Sequence, residues 1–243
     1  MQDGKEQTIL TEDEQYQEFK RIKRLDEAKA SILKIECDCL SPYVEKTQLK
    51  DTCKTANSLE IGAVVVFPNY VKACVGYLGK DPKVSLVAAV SFPYGEETTE
   101  IKAAAVKRAV KDGVDEVEVC APTAFLRDGN LAYFKKECKK IKKAAKTCAV
   151  RVILDCAILS DKELIKAACV AADSGINCLR LNNANGETVS NVKAAVKGKC
   201  LLKAEKADGA TAFATLCTMG ADTVSCARAL DLAQYILKQA QSE

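Results

Sequence analysis

The sequence of 243 residues contains no histidine, only 12 glycines and 5 prolines, and no uninterrupted apolar run of the ~20 residues that a membrane span needs. The absence of histidine excludes the usual general base, the histidine-activated serine and cysteine nucleophiles, and the commonest zinc ligand. The net charge of +3 gives no argument for nucleic-acid binding. We therefore expect no metal ion, no cofactor, and no binding to nucleic acid or membrane.

Cysteine, by contrast, occurs 13 times, which is an odd number. No two cysteines have the CxxC spacing of a paired metal or redox site, and most lie inside apolar runs, as Cys74, Cys156, Cys169 and Cys217 do. Reduced cysteines act as small apolar residues in protein cores, and they persist in reducing compartments. The sequence therefore predicts free thiols and a cytoplasmic location.

Short apolar runs alternate with amphipathic segments along most of the chain. We predict eight strands, at residues 32–37, 62–67, 84–92, 116–120, 149–155, 178–181, 200–203 and 223–226. Helical segments between them include residues 97–111, 131–146, 161–174, 188–196 and 210–219. Eight such alternations in about 210 residues predict a TIM barrel of the α/β class. A doubly wound open sheet is the alternative, but the glycine-rich turn expected after its first strand is missing.

The first part of the chain has a different character. Residues 1–31 are rich in charged and amide side chains, with Tyr16, Phe19, Ile22 and Leu25 at helical spacing. We predict a helical extension over residues 1–31, followed by one barrel domain over residues 32–243.

Four segments carry a resemblance to a known family. They are VVVFPNYV at residues 64–71, VSFPYG at 90–95, GVDEVEV at 113–119 and RVILD at 151–155. In this order and spacing they resemble the strands and turns of deoxyribose-phosphate aldolases, which are class I aldolases. The resemblance extends from about residue 37 to residue 231.

The resemblance implies a reaction and the groups that perform it. The family cleaves 2-deoxyribose 5-phosphate into acetaldehyde and glyceraldehyde 3-phosphate. It uses a Schiff-base lysine, a second lysine that lowers the pKa of the first, a carboxylate that relays protons, and a phosphate pocket. Arg180 stands where the Schiff-base lysine is expected, Lys203 matches the second lysine, and Glu118 matches the relay carboxylate. A guanidinium remains protonated and is a poor nucleophile, so the expected catalytic site is degenerate.

The substrate-binding positions have also changed. By the same resemblance, Asp38, Arg151 and Asp155 match polar positions on the first and fifth strands. The family's glycine-rich phosphate turn corresponds here to AEKADG at residues 204–209, which places carboxylates where an anion should bind. Arg228 replaces one of two serines at the eighth strand, where a helix N-terminus could still attract an anion.

The roles of Arg180 and Lys203 stay open at the level of sequence. Arg180 is either a clamp for an anion or a partner of Glu118 or Asp155 in a vestigial site. Lys203 is either a relocated Schiff-base lysine, whose pKa Arg180 would depress, or an inherited lysine in a salt bridge.

A lysine-rich helix provides the remaining candidate surface. Between residues 134 and 146, apolar side chains repeat at helical spacing and seven lysines occupy the outer face. Lys139, Lys140 and Lys143 are therefore either a docking surface for an acidic partner or an ordinary solvated face.

Three hypotheses for function follow. The first is a family member that is inactive on 2-deoxyribose 5-phosphate and is retained to bind a protein partner or an anionic metabolite. The second is an active class I aldolase that uses Lys203. The third is a cytoskeletal scaffold, by analogy with another class I aldolase that binds actin. The resemblance also allows a homodimer, for which the sequence identifies no interface.

Overall fold

Eight parallel strands close into a barrel in the computed structural model, which describes residues 12–226 and 228–242. The strands are β1 (Ile35–Cys39), β2 (Ala63–Val66), β3 (Ser85–Val90), β4 (Glu116–Cys120), β5 (Ala149–Asp155), β6 (Cys178–Asn182), β7 (Leu201–Ala207) and β8 (Thr223–Cys226). Each strand pairs with its neighbours in the chain, and β8 returns to β1. The predicted TIM barrel is confirmed, and the open-sheet alternative is wrong.

Ten α-helices accompany the strands in the described part of the chain. They are α1 (Glu12–Ile32), α2 (Lys46–Leu59), α3 (Val71–Leu78), α4 (Thr99–Asp112), α5 (Thr123–Arg127), α6 (Leu131–Ala145), α7 (Asp161–Asp173), α8 (Gly186–Val196), α9 (Gly209–Thr218) and α10 (Ala229–Ser242). The loops after the strands and the first turns of most helices share one end of the barrel, which we call the mouth. In TIM barrels this end carries the active site.

Five of the eight strands differ from the prediction at one or both ends, and two of them differ by three residues or more. Strand β1 begins at Ile35 rather than at residue 32, because α1 continues through Ile32 before the chain turns. Strand β7 extends from Leu201 to Ala207, well beyond its predicted end at residue 203. Charged residues interrupt the apolar run there. Lys203 and Glu205 flank Ala204, as a strand with one face inside a barrel allows, and the pairing with β8 shifts in register between Ala204 and Ala207.

The interior of the barrel has two unlike halves. The side chains of Ala63, Val65, Val87 and Ala89, on β2 and β3, form a small apolar cluster. On the opposite side, strands β4 to β7 and β1 direct charged side chains inward. The outer faces of all the strands join the large apolar core beneath the helices. The charged half of the interior is therefore enclosed by apolar packing.

A buried ion pair fastens α4 and α6 to β4. Nζ of Lys102 lies 2.9 Å from Oε1 of Glu137 and donates to the carbonyl oxygen of Cys120 at 3.0 Å. The hydroxyl of Thr99 donates to the other carboxylate oxygen of Glu137 at 2.9 Å. Both members of the pair are almost fully buried, so each side chain depends on the other for its charge compensation.

Gly95, in the turn after β3, has a conformation that requires glycine. Its φ of 73° lies in the left-handed region, and a Cβ atom there would be 2.3 Å from the carbonyl oxygen of Ala121. This close approach explains the glycine of the VSFPYG segment. The backbone N–H of Gly95 also donates to the carbonyl oxygen of Ser91 at 2.8 Å, which closes the turn that contains Phe92.

The predicted N-terminal helix is present over Glu12–Ile32, while residues 1–11 lie outside the described residues. Ala28 and Ile32 are buried, and α1 lies against α10. In the part of the chain that the structure describes, no helix has the length and the apolar character needed to cross a membrane.

Candidate functional site

Arg180 lies in the middle of β6 with its side chain completely buried inside the barrel. Its Nη2 atom is 2.9 Å from Oδ2 of Asp38 and 2.8 Å from Oε1 of Glu205, and its Nη1 atom forms an ion pair with Glu118. The guanidinium is thus held by carboxylates from β1, β4 and β7. Of the two predicted partners, Glu118 is confirmed, and Asp155 does not contact Arg180.

Two further groups complete the surroundings of Arg180. Its Nε atom donates a hydrogen bond of 2.9 Å to Oδ1 of Asn182, two residues along the same strand. The ring of Phe92 lies with its centroid 5.3 Å from the guanidinium carbon, within the range of a cation–π contact. With three carboxylates, an amide and an aromatic ring, this guanidinium is satisfied by the protein alone.

Lys203, on β7, is also completely buried. Its ammonium nitrogen lies 2.9 Å from Glu36, 3.0 Å from Asp38 and 3.5 Å from Glu118. Asp38 and Glu118 are therefore shared between Arg180 and Lys203. Arg180, Lys203 and Glu118, which were predicted as the degenerate catalytic group, therefore lie close to one another and to Asp38.

Arg151 extends this network toward the amino-terminal ends of the strands. Its guanidinium lies 2.7 Å from Glu36 and 2.8 Å from Glu116, which is the first residue of β4. Glu116 lines a cleft with Ala149, the first residue of β5, and with Gly175, which lies in the turn before β6. Arg151 thus points away from the mouth, and its role in substrate binding stays a prediction.

The charges of the network shift the pKa values of its members in a consistent way. Burial alone would raise the pKa of Glu36, but Lys203 and Arg151 outweigh it and bring the pKa to about 2. Burial is likewise outweighed at Asp38, whose pKa is lowered by Lys203 and Arg180. These carboxylates are therefore ionised at any physiological pH.

The pKa of Lys203 is raised, whereas a lysine that acts as a nucleophile needs a lowered pKa. Burial and Arg180 both act to lower it, but the carboxylates of Asp38, Glu118 and Glu36 outweigh them and raise the pKa. Arg180 thus acts to lower the pKa of Lys203, as predicted, but the carboxylates raise that pKa by more. A lysine with a raised pKa has almost no neutral amine with which to attack a carbonyl.

The remaining predicted substrate residues lie apart from this network. Asp155 accepts hydrogen bonds from the backbone N–H of Ala157 at 2.9 Å and from the side chain of Asn183 at 3.0 Å, which hold the turn after β5. Arg228 is exposed and pairs with Asp231 in the first turn of α10 at 2.9 Å.

Two clefts open at the mouth, and Arg228 lines both. One has a volume of about 400 Å³ and is bounded by Asp208 and the start of α9. The other, of about 470 Å³, reaches Asp38 and Tyr43. Neither is lined by Arg180 or Lys203. The accessible space therefore reaches the charged network at Asp38 but does not reach its two central cations.

The lysine-rich helix is α6, and its predicted docking residues differ in their surroundings. Lys140 forms an ion pair with Glu100 on α4. Lys139 and Lys143 are exposed, and neither forms an ion pair with another described residue. Two of the three lysines are therefore uncompensated within the described chain.

Sequence reasoning missed four members of the network, namely Glu36, Glu116, Asn182 and Glu205. Glu36 stands two residues before Asp38 on β1, so the same alternation that points Asp38 inward points Glu36 inward as well. Glu205 was assigned to a turn of the phosphate pocket, but it lies on β7 and binds Arg180. In the described part of the chain, no group of three or more cysteine or acidic side chains is arranged to hold a metal ion.

Comparison with known proteins places this site in a family context. Residues 22–177 match the model of the DeoC/LacD family aldolases. A deoxyribose-phosphate aldolase from Clostridium botulinum is 32% identical over 150 residues, which are 58% of this chain and 70% of the relative. One from Caldanaerobacter subterraneus subsp. tengcongensis is 32% identical over 165 residues, which are 65% and 71% of the two chains.

Solved structures show the same fold over a longer part of the chain. An aldolase designated QR15 superimposes with a TM-score of 0.81 at 21% identity, covering 86% of this chain and 96% of that one. A crystal structure of a putative deoxyribose-phosphate aldolase from Coccidioides immitis gives 0.81 at 20% identity, covering 86% of each chain. The family match ends at residue 177, so β6 to β8, with Arg180 and Lys203, keep the fold but lie outside the match. On the match over residues 22–177 and on these relatives, the chain belongs to the DeoC/LacD aldolase family.

Proposed function

We propose that this protein is a DeoC/LacD-family barrel that does not cleave 2-deoxyribose 5-phosphate and that acts by binding instead. The observation that carries the proposal is the environment of Arg180. At the position that the resemblance assigns to the Schiff-base lysine, a buried guanidinium is held by Asp38, Glu118 and Glu205. A guanidinium at this position forms no imine, and its side chain fills the space in which one would form.

The alternative of an active aldolase based on Lys203 receives less support. An amine nucleophile must lose its proton, and it must be reachable by a carbonyl carbon. Lys203 is completely buried, contacts three carboxylates, and has a raised pKa. Losing a covalent catalyst removes several kcal/mol of transition-state stabilisation, which a small rearrangement does not restore.

A coupled assay on 2-deoxyribose 5-phosphate tests this part of the proposal. We expect no turnover by the wild-type protein above that of a Lys203→Ala control, while an active deoxyribose-phosphate aldolase serves as the positive control. Incubation with acetaldehyde and borohydride, followed by mass spectrometry, should leave Lys203 unmodified. Wild-type turnover that disappears in Lys203→Ala, or a reduced adduct on Lys203, would overturn the proposal in favour of the relocated nucleophile.

The Arg180→Lys variant measures how much of the ancestral pocket remains. The new amine would meet the same three carboxylates, so its pKa would be raised and we expect little or no recovery of activity. Substantial recovery would show that the rest of the pocket is functional. It would also contradict our interpretation that the network opposes imine formation.

For the binding role, we propose two candidate surfaces. An anionic metabolite would contact Arg228, because this guanidinium lines both clefts at the mouth. Calorimetric titration with inorganic phosphate and with 2-deoxyribose 5-phosphate should then show binding that Arg228→Ala abolishes. Binding that is unchanged in Arg228→Ala, or absent in the wild type, would exclude this site.

An acidic protein partner would instead dock on α6, where Lys139 and Lys143 have no ion-pair partner among the described residues. Actin filaments are a suitable acidic probe for the cytoskeletal hypothesis, and co-sedimentation is the measurement. Charge reversal at both lysines should abolish binding, whereas reversal at Lys50 and Lys54, which are exposed on α2, should not. Equal loss in both variants would indicate a non-specific electrostatic attraction.

A further inference from the structure

Two cysteine side chains share one face of β1. Cys37 and Cys39 are separated by one residue, so they point to the same side of the strand, while Asp38 between them points into the barrel and contacts Lys203. Both cysteines pack against the outer core beneath the helices. Both are free thiols, and each is partly exposed. The fold therefore presents two reduced thiols side by side.

These two thiols can be reached from solvent through the mouth of the barrel. Cys37 and Cys39 both line the larger of the two mouth clefts, which has a volume of about 470 Å³. Clefts of this size admit small organic molecules. By contrast, the neighbouring thiols of Cys53 on α2 and Cys74 on α3 are completely buried. Access to a cleft thus distinguishes the pair on β1 from the pair between the helices.

The two thiols on β1 also interact with each other. The pKa of Cys39 is raised, chiefly by a hydrogen bond with Cys37 and also by burial. The thiol of Cys39 therefore keeps its proton. Because a protonated thiol is a poor nucleophile, Cys37 is the member of the pair that attacks first.

The backbone of β1 allows a bond between the two sulfur atoms. A strand rises about 3.3 Å per residue, which places the two Cα atoms about 6.6 Å apart. Disulfides span Cα separations of roughly 4.4–6.8 Å, so a bridge fits near the upper limit of this range. Strand β8 pairs with β1 at Ile35 and Glu36, before the two cysteines, whereas β2 pairs with β1 as far as Cys39. The segment with the cysteines is thus held on its β2 side and can contract slightly.

We propose that Cys37 and Cys39 form a thiol–disulfide exchange site at the mouth, which takes small disulfides such as glutathione disulfide. The Sγ atom of Cys37 attacks one sulfur of the small disulfide, forms a mixed disulfide with it and releases one small thiol. The thiol of Cys39 then loses its proton to water and attacks Sγ of Cys37, which releases the second small thiol. The protein loses two hydrogen atoms, and the small disulfide is reduced to two thiols.

The bridge should be easily reversed. A disulfide near the limit of its span is strained, and strained disulfides are more readily reduced than relaxed ones. The site is therefore a dithiol under reducing conditions and forms the bridge only when small disulfides accumulate.

Peptide mapping by mass spectrometry tests the proposal on the full chain. The reduced protein is incubated with glutathione disulfide, the remaining thiols are alkylated after denaturation, and trypsin releases residues 35–46, which contain these two cysteines and no other. We expect this peptide to lose two hydrogen atoms through a bridge that dithiothreitol removes. Cys39→Ser should instead stop at a glutathione adduct on Cys37.

Two other cysteines provide the matched control. Cys148 and Cys156 are partly exposed thiols, as Cys37 and Cys39 are, and burial followed by nearby aspartates raises the pKa of each. The double variant Cys148→Ser/Cys156→Ser should form the bridge on β1 within about twofold of the wild-type rate, because the sites are independent. Circular dichroism on each variant checks that the fold is retained.

Three results would overturn the proposal. If residues 35–46 kept both thiols at a saturating concentration of glutathione disulfide, the mouth cleft would not admit the reagent. A bridge from Cys37 to Cys226, or from Cys39 to Cys53, would show a different pairing. A Cys39→Ser variant without an adduct on Cys37 would show that Cys37 is not the attacking thiol.

Discussion

Replacing Arg180 by methionine tests the charged network in the barrel directly. Methionine has a similar length but no charge, so the change leaves Glu118, Asp38 and Glu205 without their shared cation. Glu118 is completely buried, while Asp38 and Glu205 are 17% and 12% exposed and can recover some hydration. Lys203 remains close to two of the three carboxylates, and it limits the damage.

The expected magnitude follows from this partial compensation. Removing one member of a buried ion pair typically costs about 3–5 kcal/mol, because it leaves an uncompensated buried charge. We expect Arg180→Met to lower the free energy of unfolding at pH 7 by about that amount. Arg180→Lys keeps the charge but loses the forked hydrogen bonds, and should cost about 1–3 kcal/mol.

Urea unfolding followed by circular dichroism is the assay, with Arg228→Met as the matched control. Arg228 is 80% exposed, so its replacement should change the free energy of unfolding by less than about 0.5 kcal/mol. The deficit of Arg180→Met should shrink as the pH falls from 7 to 5, because protonation neutralises the unpaired carboxylates. Adding Glu118→Gln to Arg180→Met should recover part of the loss.

The reasoning would be refuted if Arg180→Met were as stable as the wild-type protein at pH 7. It would also be refuted if the deficit did not change with pH, since an unpaired buried carboxylate must respond to protonation. Either result would mean that the guanidinium contributes little beyond filling space inside the barrel.

Three further predictions concern other parts of the fold. The pKa of Glu36 is lowered from an ordinary 4.5 to about 2, so the stabilisation from its ionised form is fully present above pH 4.5 and is lost between pH 4.5 and 2. The difference in free energy of unfolding between the wild type and Glu36→Gln should therefore become smaller over that range, as measured by denaturant unfolding at several pH values. Gly95→Ala should lower the free energy of unfolding by at least about 2 kcal/mol more than Gly129→Ala, because both glycines have a φ of 73° but only the first meets nearby atoms. Lys102→Met should cost about 3–5 kcal/mol in denaturant unfolding, whereas Lys107→Met, on the exposed face of the same helix, should cost almost nothing.

The barrel was predictable from sequence because its strands are short apolar runs at regular intervals. The prediction was weakest at the end of β7, where two charged residues on the inner face follow the apolar run. Leu202 and Ala204 face the helices while Lys203 and Glu205 face the interior. Because strands were predicted from apolar runs, this alternation of charged and apolar residues was taken for the end of the strand.

The residues of the site likewise divide into those that the sequence identified and those that it missed. Arg180, Lys203 and Glu118 were found because the family resemblance directs attention to their positions. Glu205 and Glu36 were missed because the resemblance assigns them no catalytic role, and because sequence spacing does not show that β1, β6 and β7 direct their side chains to one point. Contacts such as that between Lys203 and Asp38, 165 positions apart in the chain, depend on barrel closure.

The shared carboxylates at the centre of the barrel also constrain how this sequence can change. Asp38 and Glu118 each contact both Arg180 and Lys203. Substituting any one of these four residues therefore leaves a buried charge without the partner that balanced it. Lysine at position 180 would meet carboxylates that are arranged for a guanidinium, so Arg180→Lys should reduce stability. The surrounding carboxylates therefore favour arginine at this position, and replacing it without a loss of stability would need coordinated changes on several strands.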